Sequence, residues 1–445
     1  MPGVPTPREL DDYREQADRF IAEIDEEYYL HFAGHKDTYD LAPVYDRYAD
    51  LTSLEAAHRI GSAVDGDRRT RELWKFACHG YLGNLTREYD EKSAALEAGL
   101  KATVDGEEIP FRMIRPTMAN EPDRAKRQRL EHARNALTEE HLLPLQLEAT
   151  GVITEAVHAL GAPTYTELHR RLGFRLDEMA EQCRAFLDAT ERMWEDAGDR
   201  LYRERVGIGL AEAQRFDTAR VFRAPAWDTA FPGDRMMPAL EATLADLGID
   251  LYGQKNVELD IEQREKKSPR PFCSPIEVPD RVVLVIQPIG GVDDWRGLFH
   301  EAGHTEHFAH TRADLSVEER RLGDLAVTEG WAMLLEHLVQ DAAWLNRLLD
   351  VPRPSQFVAE SATGLLLITR RYCAKVLYEI ELHNAPDPRP LQKRYVEILG
   401  DAMKIEPSPT DYLADVDAGF YSTEYVRAWA FEAALKRFFR EKFGS

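Results

Sequence analysis

Cysteine, long apolar runs and positive charge are all scarce in this sequence. There are four cysteines in 445 residues, Cys78, Cys183, Cys273 and Cys373, and no two form a CxxC pair. So few, so far apart, exclude a disulfide framework and fit buried thiols in a reducing compartment. Nothing beside them in sequence activates a thiol, which makes a catalytic cysteine a poor candidate. No run of about 18 apolar residues occurs, so no membrane-spanning helix is expected. The opening Met1-Pro2-Gly3-Val4-Pro5-Thr6-Pro7 has no apolar signal core. A soluble, cytoplasmic protein is the expectation. Lys and Arg number 56 against 79 Asp and Glu, a formal charge of −23. Such a surface repels phosphate backbones and anionic lipid, so neither nucleic acid nor a membrane is expected as a partner. No segment repeats with a period of about 20–50 residues, which excludes a solenoid.

What is present is an ordinary globular composition, 44% hydrophobic and 9% aromatic, enough for a large core. The length fits two or three average domains or one large unit. Apolar residues at three- and four-residue spacing predict a helix over 7–30. Two short helices are expected over 37–64, a long one over 67–102, and more over 122–158 and 164–205. Asp105-Gly106 predicts the turn of a small hairpin. The charged residues from Arg124 to Arg134 suit solvated helix faces better than a binding strip. Residues 207–235, rich in Gly, Pro and aromatics, fit a connection between lobes or a cleft wall. A short helix is expected over 238–247, then two β-like runs, 272–278 and 282–287. Val282-Val283-Leu284-Val285-Ile286 is the strongest strand signal. An exposed edge on that strand would hydrogen-bond an extended peptide; a core hairpin without substrate contact is the alternative. From Glu336 to the end the chain is expected to stay helical.

The strand feeds into His300-Glu301-Ala302-Gly303-His304. Two histidines four apart in a helix are about 40° out of phase and one turn apart, so both imidazoles can meet one ion. Imidazole nitrogen suits zinc, and two His with one Glu and an open position is a catalytic zinc set. Glu301, between the ligands in sequence, can take the proton of the water that zinc activates. Trp295, Leu298, Phe299 and Phe308 at helical spacing make this a buried helix, and Gly303 permits close approach by backbone or substrate.

The third ligand has two candidates. His310 stands where a three-histidine class places its last ligand, but that class needs a glycine to turn the chain back, and His307 occupies the turning position. Six helical residues would carry His310 about 9 Å along the axis from His304. Glu329, in Thr328-Glu329-Gly330-Trp331-Ala332-Met333-Leu334-Leu335-Glu336, arrives on a second helix, expected to start at a Ser316-Val317-Glu318-Glu319 capping box. Glu329 is the better candidate. The ligand histidines need acceptors for their other ring N–H, for which Asp324 and Glu336 are available. His307 suits a place in the pocket or a plain surface position equally.

The run Leu298-Phe299-His300-Glu301-Ala302-Gly303-His304 with Glu329 to Glu336 resembles the thimet oligopeptidase and oligoendopeptidase family of zinc peptidases. Leu259–Lys267 and Asp417–Ser422 are also similar, so the likeness covers about residues 251–444. The resemblance implies Glu329 as third ligand, one zinc ion per chain, and a two-lobed helical metallopeptidase with a small β-sheet beside the active-site helix and a deep channel for short unfolded peptides. The family's oxyanion donors are tyrosines and a histidine from the C-terminal stretch. Aligned on Asp417-Ala418, those positions hold Phe420, Thr423 and Asp411 here. Tyr421 and Tyr425 remain, four apart and so on one helix face, and Tyr425, then Tyr421, is the expected donor.

The expectation is therefore a mainly α-helical monomer, one catalytic unit over 1–445. Residues 1–240 form its mostly helical N-terminal part, and 241–445 carry the zinc site. It would hydrolyse short peptides by Glu301-assisted attack of water. A zinc-retaining peptide-binding protein with little or no turnover, or a zinc hydrolase of a non-peptide amide or ester, is the alternative.

Overall fold

The computed structural model describes residues 4–444, and helices make up 69% of it, so the fold is mainly α. The chain opens with α1 (Pro7–Phe32), α2 (Ala42–Arg47), α3 (Leu54–Gly61) and α4 (Arg68–Gly99), then a hairpin of β1 (Lys101–Val104) and β2 (Glu107–Pro110). There follow α5 (Phe111–Asn120), α6 (Arg124–Leu137), α7 (Leu143–Ala159), α8 (Tyr165–Arg171), α9 (Leu176–Val206), α10 (Arg215–Arg223) and α11 (Met236–Asp246). A sheet of β3 (Val257–Asp260), β4 (Phe272–Glu277) and β5 (Arg281–Val285) precedes α12 (Val292–Ala309), α13 (Val317–Arg320) and α14 (Leu325–Glu336). The rest is α15 (Ala342–Leu348), α16 (Pro354–Leu382), α17 (Leu391–Met403) and α18 (Tyr421–Phe443).

Local chemistry accounts for many of these boundaries. Thr6 and Glu9 form a reciprocal capping box at the start of α1, and the Ser53 side chain caps α3. Asp105 and Gly106 both have positive φ, the backbone that a two-residue hairpin turn requires. The interruption near Pro144 is a single π turn, Thr138–Leu142, after which α7 begins. Residues 207–235 are more ordered than their composition suggests, because Gln214 and Asp217 cap α10 there.

The chain divides into two compact units, each drawing on both sides of residue 240. The first joins the stretch up to Asn84, Trp227–Val358 and the stretch from Arg427 onward; the second joins Leu85–Ala226 and Ala359–Val426. Helices α4, α16 and α18 run from one unit into the other. Among the described residues, no helix is long and apolar enough to cross a membrane.

In the first unit the strand order is β3-β5-β4, with β3 parallel and β4 antiparallel to β5. Of the two readings of the 282–287 strand, the exposed edge is therefore not there: β5 is central and both its edges are paired. Its Val282, Val283, Leu284 and Val285 are all buried, the pattern of a strand covered on both faces. Beyond β5 the chain turns through Gly290 and Gly291, at φ 107° and 89°. A Cβ on Gly290 would lie 2.7 Å from the Gly233 nitrogen, so this turn requires glycine for both backbone and space. Asp294 Oδ2 accepts from the N–H groups of Ile289 and Gly290, both at 3.0 Å, tying the turn to the first turn of α12.

The second unit has its own core around Trp194, Tyr202, Tyr378, Tyr395 and Leu399. Here the expectation of solvated charge on α6 is corrected. Arg127 and Arg134 are buried, at 2% and 6% exposure. Arg127 Nη2 donates to Asp217 Oδ1 at 2.7 Å, and Arg134 Nη1 to Asp411 Oδ1 at 2.9 Å. Arg215 adds a second cation to Asp411 at 2.9 Å. Burial opposes ionisation of Asp411, but Arg215, Arg134 and Arg115 outweigh it and hold its carboxyl at about 2. Buried charge of this kind survives only because each carboxylate has its guanidinium.

Candidate metal centre

The centre is built on α12 and α14 of the first unit. Trp295, Leu298, Phe299 and Ala302 bury one face of α12, with Phe299 edge-on to Trp344 at 5.1 Å. Asp324 starts α14 by accepting from the Ala326 N–H at 3.1 Å. The two helices run antiparallel: Arg296 and His300 meet Glu336 at the end of α14, while His304 meets Thr328 near its start. Gly303 sets their distance. A Cβ there would lie 2.5 Å from Ala332 Cα and 2.9 Å from the Trp331 carbonyl oxygen. The close approach that this glycine permits is thus by the backbone of α14.

Both imidazoles are held from behind. His300 Nδ1 is 3.0 Å from Glu336 Oε2, and His304 Nδ1 is 2.8 Å from Thr328 Oγ1. Glu336 is itself fixed by Arg296, whose Nε and Nη2 donate to Oε1 at 3.0 and 2.6 Å. The Nε2 atoms face the third side chain: Glu329 Oε2 lies 3.5 Å from that of His300 and 3.7 Å from that of His304. Tetrahedral ligands about 2.0–2.1 Å from zinc stand roughly 3.3 Å from one another, so this donor set fits the ion. Among the described residues, His300, His304 and Glu329 are the one group of three such side chains that can converge on a metal.

The electrostatics agree with that fit. Burial pushes His304 down to about 4, leaving a neutral imidazole with a lone pair to offer. Burial also disfavours charge on His300, but Glu329 and Glu336 outweigh it and hold that imidazole well above its ordinary value. The two carboxylates thus favour positive charge at His300. Glu301 is raised to about 7 by burial, opposed by His300 and by the hydrogen bond from Cys273. That bond, from the Cys273 N–H of β4 to Glu301 Oε2, is 2.9 Å long and fixes the carboxylate beside the sheet.

The other candidate residues are placed as follows, and the capping box at Ser316 is corrected. His310 ends α12, its Nδ1 3.0 Å from the Glu306 carbonyl oxygen, with a half-exposed side chain. Ser316 makes no capping bond, and α13 stops after one turn; Glu318 pairs instead with Arg14 at 2.6 Å. Of the two proposed acceptors, Glu336 serves His300, whereas Asp324 caps α14 and pairs with Arg427. His307 is partly buried with its ring 5.3 Å from Phe308. Thr328, Arg296 and the Cys273 N–H are added to the site by the structure. Arg296 had one sequence signal: it precedes His300 by four residues and so shares its helix face.

Tyr421 and Tyr425 belong to the second unit, their rings 5.1 Å apart on one face of α18, with Tyr372 4.9 Å from Tyr425. The three positions that depart from the family pattern are interior to that unit. Phe420 is buried against Tyr165, His169 and His383, Thr423 donates to the Phe420 carbonyl, and Asp411 is held by its arginines.

No family model matches the chain, and no curated protein sequence matches it. Among solved structures it is similar to a protein assigned as oligoendopeptidase F from Bacillus anthracis strain Ames. The two share 16% identity at a TM-score of 0.63, over 96% of this chain and 76% of the other. A second structure assigned as oligoendopeptidase F gives 17% identity and 0.66, over 99% and 88%. PZ peptidase A, solved with an inhibitor, gives 18% and 0.60, over 99% and 79%. At such identities the likeness is one of fold, and the fold is that of the oligoendopeptidases.

Proposed function

We propose that this chain is a zinc-dependent peptidase acting on short peptides, working as one catalytic unit. The observation that carries the reading is the convergence of His300, His304 and Glu329 beside a Glu301 carboxylate already fixed by the Cys273 N–H. Bound at those three donors, zinc would polarise the scissile carbonyl as a Lewis acid and lower the pKa of a water to about 7. Glu301, anchored at Oε2, takes the proton of the attacking water at its other carboxylate oxygen and passes it to the leaving amine. Glu336 and Thr328 keep the two imidazoles turned so that both Nε2 atoms face Glu329, where they would hold the ion. We propose one zinc per chain, a monomer and a cytoplasmic setting.

The test is hydrolysis of a mixed short-peptide library by metal-replete protein, with and without a chelator. Cleavage that stops on chelation and returns with zinc is the expected result. Peptide binding without cleavage favours the binding-protein reading, which the replaced family positions Phe420 and Thr423 motivate. Cleavage confined to esters or non-peptide amides favours the third.

For the oxyanion we propose Tyr425 as hydrogen-bond donor, with Tyr421 second. Loss of one such donor costs about 10²–10³ in turnover. Tyr425→Phe is expected to lower kcat by that factor with KM little changed, because the bond matters only once charge has formed. A Phe variant with wild-type kcat would leave Tyr425 as a packing residue.

A further inference from the structure

Helix α13 is a single turn, and together with Arg321 just beyond it reaches one face of α1. Glu318 pairs with Arg14 at 2.6 Å, Arg320 Nη2 donates to Asp18 Oδ2 at 2.6 Å, and Arg321 Nη2 donates to Asp25 Oδ2 at 2.7 Å. Arg14, Asp18 and Asp25 follow one another at helical spacing, so they share that face. Arg321 does something more. Its side chain is 3% exposed, and Nη1 and Nη2 also donate, each at 2.9 Å, to the carbonyls of Ile276 and Pro275 in β4.

Successive carbonyls of a regular strand point to opposite sides, so one guanidinium meets two in a row only where the strand is distorted. β4 is distorted there. Ser274 pairs with Val283 and Glu277 with Arg281, so residues 275 and 276 face the one position 282, a β-bulge. Pro275 brings no N–H to the ladder, which suits it to that place. Holding Asp25 needs only a cation, and a lysine would serve; taking both carbonyls as well needs the guanidinium fork. Buried Ser274 donates through Oγ to the Asp25 carbonyl at 2.9 Å, so Asp25 is tied to β4 both directly and through Arg321. The next residue toward the start of β4 is Cys273, whose N–H holds Glu301.

We propose that Arg321 is a positioning residue for the general base: by clamping the bulge of β4 it fixes the Cys273 N–H, and through it the Glu301 carboxylate. This deepens the peptidase reading and rests on it.

The test is Arg321→Lys, which keeps a cation for Asp25 but has no fork to span both carbonyls. Zinc-loaded wild type and variant are compared in hydrolysis of a short peptide, in zinc affinity, and in hydrogen exchange at the Cys273 amide, resolved by mass spectrometry. The expected fall in kcat is about 10–100-fold, the cost of misplacing a reacting group by about 1 Å, with KM and zinc affinity within about twofold. Exchange at Cys273 is expected to quicken about tenfold or more, the worth of one hydrogen bond from a charged donor. If Arg321→Lys loses helix content, Asp25→Asn with Arg321→Met takes its place, since it removes both charges of the pair together. A wild-type kcat, or a lower kcat with Cys273 exchange unchanged, overturns the proposal, as does a loss of zinc that accounts for the lost activity. If wild type cleaves no peptide, the peptidase reading falls and the exchange rate alone decides: faster exchange upholds the clamp on Glu301, and unchanged exchange overturns it.

Discussion

Replacing Glu301 by glutamine is expected to lower peptide hydrolysis by about 10²–10⁴, the usual contribution of a positioned proton-transfer group. Zinc content and helix content should be unchanged. The substitution keeps the shape of the side chain and an oxygen that can accept from the Cys273 N–H, 2.9 Å away in the native protein. What it removes is the basic oxygen. Without it, the attacking water has no acceptor for its proton, and the leaving amine has no donor. Steady-state kinetics on a cleaved library peptide, with metal analysis and circular dichroism on the same preparations, check both halves. A variant that retains its zinc and turns over at near the wild-type rate would remove Glu301 from the mechanism.

The parts of this site that sequence makes legible are those within one helix. His300, Glu301 and His304 lie within five residues, so helical periodicity alone brings the two imidazoles together. Glu329 and Glu336 are seven apart, two turns of α14, and so share the face turned to α12; one meets the imidazole Nε2 atoms and the other supports His300. The antiparallel register that brings Thr328 to His304 was not legible. It depends on Gly303 lying against Ala332, a contact between segments whose pairing no local signal encodes. The second helix starts later than its sequence signal for a related reason. Ser316-Val317-Glu318-Glu319 has the composition of a capping box, but Glu318 is drawn into an ion pair with Arg14, 304 residues away, and Asp324 starts the helix instead.

The same limit explains the sheet and the arginines. β3 is four residues long and pairs in parallel with β5, so its existence depends on a crossover rather than on its own β-propensity. Its presence turns the strongest strand signal in the chain into a central strand and leaves β4 beside α12, where its Cys273 N–H meets Glu301. Arg127 and Arg134 look like solvent-facing charge on α6 because their carboxylates come from 90 and 277 residues away. Helices, hairpin and the paired histidines follow from periodicity and turn chemistry; strand order and buried ion pairs follow from long-range contacts.

Zinc affinity should separate three side chains by rank. Glu329→Gln is expected to weaken binding by more than about 100-fold, because even partners behind the ligands are worth about 10–100-fold. The amide oxygen is a poorer donor, and the change removes the negative charge that faces both Nε2 atoms at 3.5 and 3.7 Å. Glu336→Gln is expected to fall within that 10–100-fold range. It leaves all three donors in place but frees His300 Nδ1 from a carboxylate at 3.0 Å that Arg296 holds still. His310→Ala is expected to change affinity by less than about twofold, well below the effect of a partner behind a ligand. Its ring is half-exposed at the end of α12 and bonded to Glu306 of the preceding turn. Competition against a chromophoric chelator gives the three constants, with circular dichroism to verify the fold of each variant. The order Glu329, Glu336, His310 distinguishes a centre of two histidines and a glutamate. A large loss in His310→Ala with little change in Glu329→Gln would instead assign the third ligand to His310, and the antiparallel seating of α14 on α12 would then have no part in holding the metal.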